Sequence, residues 1–103
     1  MVTTKELERR NRIRLSLWAY AYEFKSISMV SDDVFDTLSK AINVSQTTGN
    51  RKLDKFFRDE FNPDTGMWVH KHPELIKLEW LYNYLGVGND KSKQRSLEVI
   101  LQA

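Results

Sequence analysis

Cysteine is absent from this 103-residue chain. Disulfides, thiolate zinc sites and a cysteine nucleophile are therefore excluded. Only two prolines and four glycines interrupt it, which leaves long stretches free to run as helix. Gly49, Gly66, Gly86 and Gly88 are scattered, so there is no glycine-rich phosphate loop. No motif offers a serine nucleophile with a base and an oxyanion hole. No apolar run approaches the roughly 20 residues that span a bilayer. The polar opening Met-Val-Thr-Thr-Lys-Glu shows no signal-peptide pattern. A non-enzymatic, cytoplasmic protein with no membrane partner is the expectation. The net charge of +2 is too small to imply nucleic acid by itself.

Aromatic residues are plentiful: three Trp, four Tyr and five Phe supply material for one core. The expected fold is all-α, a single small domain over residues 1–103 with four to five helices and a long first helix. Thr3-x-x-Glu6 is a capping-box pattern, and nothing breaks a helix from there to about Lys25. Ile13, Leu17, Tyr20 and Phe24 form its strongest apolar stripe, joined by Leu15, Trp18 and Tyr22. Ser31, followed by Asp32 and Asp33, predicts the start of a second helix running to about Asn43.

Asn50 predicts the cap of a third helix, with Leu53, Phe56, Phe57 and Phe61 inward and Lys52, Asp54, Lys55, Arg58 and Asp59 facing water. Asn62-Pro-Asp-Thr-Gly66 is a turn. Met67-Trp-Val is too short to assign as a strand without a partner. Pro73 predicts the first position of a fourth helix, which Gly86 would stop. Residues 88–103 read as a loosely packed last helix. The spacings of Trp18, Phe56, Phe57, Trp68 and Trp80 are those of core residues.

Three clusters bear on function. His70 and His72 offer two imidazoles, but two ligands make a weak metal site, so no metal is expected. Arg9, Arg10, Arg12 and Arg14 form helical rows that could meet phosphates or an acidic partner. The alternative partner surface is the loop from Asn62 to His72, where Trp68, were it exposed, would be an aromatic anchor. The third cluster is Tyr22-Glu23 followed across a short turn by Ser31-Asp32 and Phe35-Asp36. It could bring aromatic faces and carboxylates into one notch suited to a base and a ribose.

This third cluster resembles the small N-terminal helical domain of NAD-dependent DNA ligases, over residues from about 10 to 43. That family carries Tyr-His, then Asp, then Tyr-Asp at the corresponding places. The resemblance implies that Tyr22 and Phe35 flank a nicotinamide ring while Asp32 and Asp36 accept hydrogen bonds from ribose or carboxamide, with NMN or NAD as ligand. Glu23 stands where the family has histidine, and Phe35 lacks the tyrosine hydroxyl. The family's Lys-x-Asp-Gly motif is absent: Lys52-Leu-Asp-Lys55 is the nearest approach. The segments around Thr48–Phe57 and Pro63–Leu75 resemble small proteins of tailed bacteriophages.

Two functional expectations follow. The first is a cofactor-free interaction protein that binds and inhibits or redirects a host protein or nucleoprotein complex. The alternative is a nucleotide-binding accessory module of nucleic-acid metabolism, using Tyr22, Asp32, Phe35 and Asp36.

Overall fold

The computed structural model describes residues 3–85. Among them the order is α1 (Thr4–Lys25), α2 (Asp32–Ala41), α3 (Arg51–Glu60), a short 3-10 helix (Met67–Lys71) and α4 (Leu75–Leu85), with no strand. The fold is all-α, as expected. The proposed helix over residues 88–103 and the Gly86 stop lie outside the described residues.

The capping residues act where the sequence places them. Thr3 Oγ1 accepts the Glu6 N–H at 3.1 Å, Ser31 Oγ accepts Val34 N–H at 3.3 Å, and Asn50 Oδ1 accepts Leu53 N–H at 3.2 Å. Each satisfies one of the amides that a helix start leaves free. Glu6 lies 3.9 Å from Arg10 one turn on. Ser26 ends α1 in the left-handed conformation, at φ 57°. That tight exit starts the Ser26–Ser31 connection that brings α2 back beside α1. α2 stops at Ala41, two residues before the expected Asn43. α4 begins at Leu75, after a turn over Pro73 and Glu74.

α1 is the central element and packs against α2, the 3-10 helix and α4. Leu15, Leu17, Ala19, Tyr20 and Ala21 are all buried, so its middle is enclosed over most of its circumference, whereas Tyr22 and Phe24 of the expected apolar rows are exposed near its end. Phe56 and Phe57 on α3 meet Trp68 at ring distances of 6.1 and 5.4 Å, and Phe61 meets it at 5.2 Å. Trp68 is thus a core residue and not the exposed anchor considered above. The Met67–Lys71 segment, ambiguous by length, becomes helical because it must turn Trp68 and Val69 together into this core. Trp80 departs in the other direction. It is 62% exposed and stacks on Tyr84 at 5.4 Å on the outside of α4.

α3 is tied to α1 through an ion network. Arg12, 3% exposed, donates Nε–H to Glu8 at 2.7 Å and Nη1–H to Asp54 at 2.9 Å. Its Nη2 donates to the carbonyls of Asn43 and Gln46, both at 2.7 Å. Glu8 accepts the Asn43 N–H, and Asp54 accepts the Thr48 N–H and hydroxyl. The guanidinium also lies 5.2 Å from the Phe57 ring centre. A planar fork with five donors suits four acceptors at fixed angles, which an ammonium could not match. Burial would raise the Asp54 carboxyl, but the Thr48 hydroxyl and N–H and the Arg12 cation outweigh it and hold it below the ordinary value. Asp54, expected in water, is therefore an internal residue.

Candidate functional site

The last turn of α1, the Ser26–Ser31 connection and the first turns of α2 enclose a notch of about 220 Å³. Tyr22, Asp32, Phe35 and Asp36 all line it. Helical spacing explains the grouping. Asp32 and Asp36 lie four apart on one side of α2, with Phe35 between them in the turn facing α1. Tyr22 comes from α1 and is 60% exposed, so its ring face is available at the rim.

Several lining residues were missed in the sequence. Trp18 stands one turn before Tyr22 and extends the aromatic wall. Asp64, Thr65 and Gly66 also line it. The Asn62–Gly66 turn is shaped locally: Asn62 Oδ1 accepts the Asp64 N–H at 2.9 Å, and Thr65 Oγ1 accepts the Met67 N–H at 3.1 Å. Gly66 lets the turn sit close, since a Cβ there would lie 3.4 Å from both Ala19 Cβ and Phe35 Cζ. A turn signal shows that the chain reverses at Asn62–Gly66, not which distant helix it reverses against.

The notch is one-sided in charge. Glu23, Asp32, Asp36 and Asp64 line it, and no lysine, arginine or histidine does among the described residues. Glu23 is oriented from outside: His70 Nε2 lies 2.8 Å from its Oε1, and the His70 ring packs on Phe24 at 4.8 Å. The 3-10 helix thus brings an imidazole to Glu23 at the corner of the notch. Three aromatic rings and four carboxylates around one opening attract a flat cation and can accept several hydroxyl hydrogens.

The arginine surface does not form as expected. Arg12 is buried and fully engaged, so it cannot contact a partner. Arg9 is exposed, whereas Arg10 and Arg14 are half-buried. Nor do the histidines converge. His70 meets Glu23, while His72 is buried beside Phe56 and its Nδ1 accepts the Glu74 N–H at 3.0 Å. Among the described residues no three His, Asp or Glu side chains gather to hold a metal. Nor is any of their helices long and apolar enough to cross a membrane. No protein-family model, curated protein or solved structure matches this chain.

Proposed function

We propose that the chain is a non-enzymatic binding module whose notch takes the ring-and-ribose end of a nicotinamide nucleotide. The observation that carries this reading is the shared lining of one cavity by Tyr22, Asp32, Phe35 and Asp36, with Trp18 and Asp64 completing it. An oxidised nicotinamide ring is a flat cation, suited to stacking on Tyr22 or Trp18 near carboxylates. Ribose hydroxyls would donate to Asp32 and Asp36. The phosphate finds no cation in the lining and would point outward. Binding is expected to raise the melting temperature. At ten times the dissociation constant the gain is about 1.4 kcal/mol, roughly 5–10 °C for a domain of this size. Asp32→Asn with Asp36→Asn should abolish the shift, while the loss of a first-turn acid lowers the unliganded stability by no more than about 1 kcal/mol. No shift with millimolar NMN or NAD, or an equal shift in the double variant, would refute the reading.

A second reading keeps the chain as a protein that binds, and inhibits or redirects, a host assembly. It is favoured by a different surface from the arginine rows: Ile76, Trp80 and Tyr84 lie four apart along α4 and are 83%, 62% and 53% exposed. Replacing Trp80 and Tyr84 by serine would then eliminate capture of the partner, while the notch variant would retain it. The reverse pattern counts against this surface.

A further inference from the structure

A second cavity, of about 280 Å³, lies beside the first half of α1, between the start of α3 and the start of α4. Its character is opposite to that of the notch. Arg9 stands at it as an exposed cation with no ion-pair partner among the described residues. Of the other charged side chains that line it, Lys77 pairs with Glu74 at 2.8 Å, and Arg12 is held by two carboxylates, Glu8 and Asp54, that are not part of the lining. The N-terminal end of α3 also borders it through Asn50 and Leu53, adding partial positive charge.

Its walls are apolar where Ile13, Phe57 and Leu78 line it. Two polar groups interrupt them. Ser16, 1% exposed, has a hydroxyl without a hydrogen-bond partner. His72 accepts the Glu74 N–H at Nδ1, so its ring proton sits on Nε2, and this N–H has no acceptor among the described residues. An unpartnered buried hydroxyl is a cost that a native fold seldom carries without compensation. Arg9 and Ser16 lie two turns apart on α1, a rise of roughly 10 Å.

We infer that this cavity binds a small hydroxy acid: a carboxylate at Arg9, an apolar body against Ile13, Phe57 and Leu78, and an inner hydroxyl at Ser16 and the His72 N–H. The carboxylate replaces water around an exposed cation, and the inner hydroxyl supplies the partner that Ser16 lacks. A body of aromatic-ring size matches the span between the two ends.

The test uses three probes of similar size in NMR titrations of the isotopically labelled full chain: 4-hydroxyphenylacetate, phenylacetate and tyramine. Saturable shifts at Ser16, Leu53, His72 and Leu78 are expected with 4-hydroxyphenylacetate. Binding should be at least fivefold weaker for phenylacetate, which lacks the hydroxyl, and weaker again for tyramine, which carries an ammonium. Arg9 is exposed, so Arg9→Glu should fold normally and reverse the order of the acid and the amine. Ser16→Ala should narrow the gap between the two acids. Equal shifts for acid and amine, shifts confined to the Tyr22–Asp36 notch, or an unchanged order in Arg9→Glu would each overturn the inference.

Discussion

His72 is the residue whose chemistry departs furthest from its ordinary state. Burial against Phe56 and Phe57 pushes its pKa from 6.5 down to about 4, and the nearby Glu74 carboxylate offsets only part of this. The native state therefore keeps the ring neutral while the unfolded chain takes up a proton below pH 6.5. Stability is fully present above that value, falls as the pH drops, and levels off below about pH 4 as far as this group is concerned. At pH 5 the loss is about 2 kcal/mol. Thermal melts should show a fall of roughly ten degrees between pH 7 and pH 5. His72→Gln should flatten that slope; an equally steep slope in the variant would remove His72 as its source. Nothing local distinguishes His70 from His72, two positions apart. One ends beside Glu23 on the surface and the other under two phenylalanines because the 3-10 helix turns between them.

At the scale of elements, Arg12 decides how α1, the Asn43–Thr48 connection and α3 sit together. Its loss leaves two carboxylates buried without a cation and two carbonyls without donors. Arg12→Met should therefore cost roughly 3–5 kcal/mol, measured by urea denaturation. Adding Glu8→Gln and Asp54→Asn should recover part of it, since the buried charges are then gone. A loss below about 1 kcal/mol in the single variant would mean that the network is incidental.

This network also marks where sequence reading stops. Caps at Thr3, Ser31 and Asn50, and the apolar stripe of α1, are local and were legible. Asp54 reads as one polar residue on the outside of a helix because its partner is 42 positions away. Trp68 and Trp80 were equally ambiguous: α4 is apolar on several sides, so periodicity cannot say which side meets α1. The notch was half legible for the same reason. Tyr22, Asp32, Phe35 and Asp36 belong to one helix–turn–helix, but Asp64–Gly66 reach it only through tertiary packing.

Across the whole molecule, a net charge of +2 conceals two cavities beside one helix, one lined by carboxylates and the other mainly by cations. The first half of α1 presents Arg9 to one, and the second half presents Trp18, Tyr22 and Glu23 to the other. The sign of each cavity sets what it can hold, and for the notch that means a cationic ring with hydroxyl donors. Isothermal titration with nicotinamide riboside in its oxidised and reduced forms tests this most directly, because reduction removes the ring's charge while leaving the ribose in place. The account expects the oxidised nucleoside to bind at least fivefold more tightly than the reduced one. Equal affinities, or no heat from the oxidised form at millimolar concentration, would contradict it.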